Sequence, residues 1–81
     1  MPSPHALPRL EVSAHLTDSR GRACPQPIID LALALKAHPL VELWADDPAA
    51  YGDLVAFAEA TGHSLERVTK SPLQAVLRRK P

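Results

Sequence analysis

Residues 18–37 read Asp-Ser-Arg-Gly-Arg-Ala-Cys-Pro-Gln-Pro-Ile-Ile-Asp-Leu-Ala-Leu-Ala-Leu-Lys-Ala, and this stretch decides the fold. Ile28, Leu31, Ala32 and Leu35 follow the i, i+3, i+4, i+7 spacing of one helix face. Pro25 and Pro27 fall in the first turn, where a missing N–H costs little. The spacing therefore predicts an amphipathic helix over 25–37, ended by Pro39. Gly21 breaks a polar loop before it. Upstream, residues 11–17 alternate, which predicts a strand with Val12, Ala14 and Leu16 facing inward and Ser13, His15 and Thr17 outward.

Downstream, the mostly apolar run 40–46 reads as a central strand. Asp47-Pro48 then fits a helix N-cap followed by proline at the first helical position. Ala50, Leu54, Phe57 and Ala58 form the second helical stripe, and Gly62 marks its stop. Residues 63–70 and 73–80 are short strands around Ser71-Pro72, a final hairpin. The order β-α-β-α-β-β predicts an α/β two-layer sandwich. About four strands form a mixed sheet, with two helices on one face. Residues 1–10, with Pro2, Pro4 and Pro8, read as a flexible proline-rich tail, and 11–80 as a single domain.

Composition narrows the function classes. Nine basic and nine acidic residues balance over 81 residues, which argues against strong direct binding to nucleic-acid phosphates. The three basic residues at 78–80 are expected at an exposed strand end. No apolar run is long enough for a membrane span, and residues 1–11 lack a secretory pattern, so a cytoplasmic location is the expectation. One cysteine excludes an internal disulfide, a CxxC pair and a multi-cysteine zinc site. His5, His15, His38 and His63 show no metal-ligand spacing, and no phosphate-binding or hydrolase motif is present; neither metal nor cofactor is expected.

The chemistry concentrates at Cys24. It sits between a loop and a helix N-terminus, whose free N–H groups and dipole favour an anion. The expectation is a thiol shifted toward thiolate. Pro25 and Pro27 stiffen the turn, Gly21 permits it, and Arg20 and Arg22 are candidates for steering an anion or a partner. The alternative is a small buried cysteine with a packing role.

The run from Asp18 to Pro27 resembles the D-x-R-G-x-x-C-P-x-P signature of the TusA/SirA-like sulfur-carrier family. The similarity continues through Asp46-Asp47-Pro48, Asp53, Phe57 and Gly62-His63, spanning about residues 11–80. The resemblance implies the same β-α-β-α-β-β sandwich. It implies that Cys24 carries sulfane sulfur as a persulfide, loaded by a cysteine desulfurase or rhodanese-like donor. An acceptor protein would then take the sulfur in a relay serving tRNA thiolation, cofactor synthesis or sulfur oxidation. Such a carrier acts within a relay and is not a stand-alone enzyme.

One departure bears on partners. The family often places Lys or Arg on the first helix, whereas here no base precedes Lys36. Ile29 and Leu33 flank the main stripe; completing the core is their expected role, and an apolar docking surface the alternative. Asp46 and Asp53 are further docking candidates, with solvated charge the simpler reading. Two other functions compete: a docking or regulatory module that moves no sulfur, and a redox-sensing thiol.

Overall fold

A computed structural model describes residues 14–81. The expected tail at 1–10, and Val12 and Ser13 of the expected first strand, lie outside the described residues. The elements are β1 (His15–Asp18), α1 (Gln26–Ala37), β2 (Leu40–Ala45), α2 (Ala50–Thr61), β3 (Ser64–Lys70) and β4 (Leu73–Arg78). The sheet runs β1-β2-β4-β3, with β1 parallel to β2 and the remaining pairs antiparallel. Both crossover helices lie over the same face, and among the described residues no helix or strand covers the other, open face of the sheet.

Leu31 and Leu35 of α1, Val41, Leu43 and Ala45 of β2, Ala50 and Leu54 of α2, and Leu73, Ala75 and Leu77 of β4 form the buried core. The two inner strands thus supply the alternate residues that meet the helices. The apolar run of β2 resolves into this alternation. Trp44 turns to the open face, where its indole N–H donates to Glu42 Oε2 at 2.8 Å. Helix α1 stops because His38 is extended (φ −135°, ψ 138°), as expected for the residue before Pro39. Helix α2 ends on Gly62 at φ +82°, a left-handed cap that suits glycine.

Two local expectations change. In β1 the facing is reversed. Thr17 aligns with buried Leu43, whereas Leu16 aligns with Glu42 and is 45% exposed. The residue that sets this phase is Ser19, which is fully buried. Its N–H donates to Trp44 O at 2.8 Å, and its hydroxyl donates to Asp30 Oδ2 at 2.7 Å. With Ser19 turned inward, period-two alternation brings Thr17 and His15 to the helix side. His15 there stacks on His38 with ring centroids 3.8 Å apart. Helix α2 begins at Ala50, with Ala49 as N-cap, two residues later than Asp47-Pro48 suggests. Asp47 instead closes the preceding turn. Its Oδ1 accepts from Ala49 N–H at 2.8 Å and its carbonyl accepts from Ala50 N–H at 2.9 Å.

The basic end of the chain also has a structural task. Arg79 Nη1 donates to the carbonyls of Leu35 and Lys36, each at 3.1 Å. These acceptors in the last turn of α1 have no partner further along the helix. Arg79→Ala is expected to lower stability by about 0.5–1.5 kcal/mol. Urea unfolding checks this, with Arg79→Lys expected to retain part of the loss.

Candidate functional site

The β1–α1 loop carries Cys24 and is tied to the β2–α2 segment by carboxylates. Gly21, at φ +84°, donates its N–H to Asp46 Oδ1 at 2.9 Å. Cys24 donates its N–H to Asp47 Oδ2 at 3.0 Å, so Asp47 holds two loops at once. The Cys24 thiol donates to Asp53 Oδ2 in the first turn of α2. Cys24 is exposed, so the packing alternative does not hold. A positive φ at Gly21 would strain any residue with a Cβ, and this is what turns the loop toward Asp46.

Pro25 is the N-cap of α1 and Pro27 lies in its first turn, where it is buried. The first-turn donors are occupied. Gln26 N–H donates to Ala23 O at 2.9 Å, Pro27 has none, and Ile28 and Ile29 N–H both donate to Pro25 O. Few amides remain to receive an anion. Around the sulfur stand full carboxylate charges, against the partial charge of a helix terminus. The hydrogen bond to Asp53 and partial desolvation, with the negative charges of Asp53 and Asp47, push the Cys24 thiol above its ordinary pKa. The expectation of a favoured thiolate is therefore corrected: in this conformation the resting group is a thiol.

Arg20 and Arg22 are engaged elsewhere. Arg20 makes a bidentate pair with Asp18 at 2.8 Å and lies 4.9 Å from the centroid of the Trp44 ring. Arg22 Nε lies 3.5 Å from Asp30 Oδ2. Asp30 is a junction the sequence reading missed: it accepts from Ser19 and Gln26 and pairs with Arg22, tying the loop between β1 and α1 to the helix. The i, i+4 spacing of Gln26 and Asp30 was the available signal. Ile29 and Leu33 are 45% and 60% exposed on α1, so they do not complete the core. A groove of about 620 Å³ opens beside the loop, lined by Asp46, Asp47, Pro48, Tyr51, Lys70 and Pro72 among others. Among the described residues there is no cluster of potential metal ligands, and no helix is long and apolar enough to cross a membrane.

These carboxylates have a consequence for acid stability. The hydrogen bonds from Arg20 bring the Asp18 carboxyl down to about 2. Gln26 and Ser19 lower Asp30, and the N–H groups of Ala49 and Cys24 lower Asp47. A carboxyl that is more acidic when folded contributes stability above its unfolded value, lost as pH falls through the folded value. The urea midpoint is expected to be flat from neutral pH to about pH 5 and to fall below about pH 4. Asp30→Asn should make that fall shallower.

The family model described as Sulfurtransferase TusA matches residues 16–79, nearly all of the described chain. The chain belongs to this family. It is 41% identical over 49 residues to a Bacillus subtilis (strain 168) protein named "Putative sulfur carrier protein YrkF", and 36% identical over 56 residues to "Putative sulfur carrier protein YrkI" of the same organism. The first match covers 57% of this chain and 26% of YrkF; the second covers 65% of this chain and 75% of YrkI. The chain thus spans about a quarter of the length of YrkF and three quarters of YrkI.

Proposed function

We propose that this protein is a sulfur carrier that accepts sulfane sulfur on Cys24 as a persulfide and passes it to a partner protein. The observation that carries this reading is the placement of the chain's one cysteine. It is exposed, at the mouth of α1, on a loop pinned through Gly21 and Cys24 to the neighbouring loop. Membership of the TusA family and the names of the two relatives support it.

The chemistry needs no second cysteine in the chain. The Cys24 sulfur, once deprotonated, attacks the outer sulfur of a donor persulfide. A new S–S bond forms to Cys24 as the donor's S–S bond breaks. The donor sulfur leaves as a thiolate and takes up the proton that Cys24 gave up. Delivery repeats the exchange, with an acceptor thiol attacking the outer sulfur on Cys24. No external oxidant or reductant is consumed.

A cysteine desulfurase or a rhodanese-like protein is the proposed donor. The acceptor belongs to a relay for tRNA thiolation, cofactor synthesis or sulfur oxidation, and the proposed setting is the cytoplasm. Ile29 and Leu33 project from the helix that begins just after Cys24, and they offer an approaching partner apolar contact where bases are missing. Asp46, which accepts from Gly21 N–H, and the groove that it lines are further proposed contacts.

Incubation with a cysteine desulfurase plus cysteine, or a rhodanese plus thiosulfate, tests this. The intact mass should rise by one sulfur atom, and a reducing agent should reverse the gain. No gain with either donor overturns the reading.

A further inference from the structure

The proposed chemistry starts from a thiolate, yet the geometry surrounds the sulfur with groups that oppose one. Among the described residues two segments meet at it: its own loop, and the segment running from the end of β2 into α2. From the second come Asp46, on Gly21 N–H; Asp47, on Cys24 N–H; and Asp53, on the thiol itself. From the first come Arg20 and Arg22, whose charges are paired with Asp18 and Asp30. Of the three aspartates, Asp46 and Asp47 hold backbone and so fix the loop. Asp53 alone receives the S–H, and that hydrogen bond exists only while the sulfur is protonated.

We propose that Asp53 is a positioning residue that keeps unloaded Cys24 as a neutral thiol, and that a sulfur donor must displace its hydrogen bond before sulfur moves. The inference rests on the reading of Cys24 as the sulfur-bearing atom and describes how that atom is regulated. A resting thiol is a poor nucleophile toward stray oxidants and disulfides. Docking that turns Cys24 away from Asp53, or brings a cation beside the carboxylate, removes the hold; the freed thiol then gives its proton to solvent and attacks as a thiolate where the donor persulfide waits. After loading, the S–H that Asp53 bound is gone. The terminal sulfur, when ionised, meets the same carboxylate as a repelling charge and is turned outward toward an acceptor.

The test needs no donor protein, so it can fail separately from the carrier reading. The rate of Cys24 alkylation by iodoacetamide is measured against pH for wild type, Asp53→Asn and Asp53→Glu. Asparagine keeps the size of the side chain and removes the charge. The Asp53→Asn profile is expected to move to lower pH, with alkylation at neutral pH faster by about three- to thirtyfold, tenfold corresponding to one pH unit. Asp53→Glu should return toward the wild-type profile. Circular dichroism on the same samples establishes that each variant is folded. A folded Asp53→Asn protein whose profile superimposes on wild type overturns the proposal. So does a shift equally large in Asp53→Glu, because loss of local packing would then explain it. Failure of both donors to add sulfur to wild type would instead overturn the carrier reading, and leaves a shifted alkylation profile standing as a property of the thiol.

Discussion

Cys24→Ser is expected to reduce sulfur uptake to the level of a sample without carrier. The chain has no other thiol to take over the task. A serine hydroxyl keeps the size of the side chain and can still donate to Asp53, so the loop should hold its shape. Its oxygen forms no stable bond to sulfane sulfur and cannot store the atom. The side chain is exposed, and such a change away from the core alters stability by no more than about 0.5 kcal/mol. Loss of loading with an unchanged thermal midpoint separates chemistry from folding. Intact mass after donor treatment, beside a melting curve, makes both measurements. Equal sulfur gain in wild type and Cys24→Ser would place the sulfur elsewhere.

The second large effect is on the fold. Leu31→Ala removes a fully buried side chain from the middle of α1, where it packs among the strands and α2. Such truncations cost about 2–5 kcal/mol, because the cavity closes only partly. A domain this small has only about 5–15 kcal/mol of stability in total, so a large share is expected to go. Leu33, two positions along, is 60% exposed; Leu33→Ala should stay within about 0.5 kcal/mol of wild type. Urea unfolding of the pair reads the contrast directly. Similar losses in both variants would mean that the outer face of α1 is covered. If the outer face meets the donor, as proposed, Leu33→Ala will instead slow loading while leaving the urea midpoint in place.

Much of this architecture was legible in the sequence because it rests on local rules. Leu31 and Leu35 share a helix face through the 3.6-residue period, Gly62 stops α2, and Ser71-Pro72 turns the final hairpin. The first strand was misread for a reason that local alternation cannot supply. Alternation points apolar Leu16 inward, yet buried Ser19, held by Asp30 from α1 and by Trp44 O from β2, sets the phase. That bond joins residues eleven apart in sequence, and a polar residue at a core position leaves no trace in a hydrophobic pattern.

The site divides in the same way. Cys24, Gly21, Pro25 and Pro27 are contiguous enough to be singled out by the C-P-x-P stretch and its preceding glycine. Their surroundings come from far along the chain. Asp46, Asp47 and Asp53 lie 25, 23 and 29 residues from the atoms they bind. Sequence proximity favoured Arg20 and Arg22 as the charges that act on the sulfur. Arg20 pairs with Asp18 two residues away and Arg22 with Asp30 of α1, and tertiary structure brings carboxylates to the sulfur instead. The predicted direction of the thiol shift failed at that step. The dipole of a helix terminus is readable from sequence, whereas the partners of its N–H groups are set by the fold.

A two-stage mass measurement addresses the carrier assignment most directly. The protein is loaded by donor, separated from it, and then mixed with a thiol acceptor in the absence of any other sulfur source. The account predicts that the isolated protein retains one extra sulfur atom and that this atom moves to the acceptor while the carrier returns to its starting mass. A protein that leaves the donor unloaded, or that keeps its sulfur when the acceptor thiol is present, would contradict it.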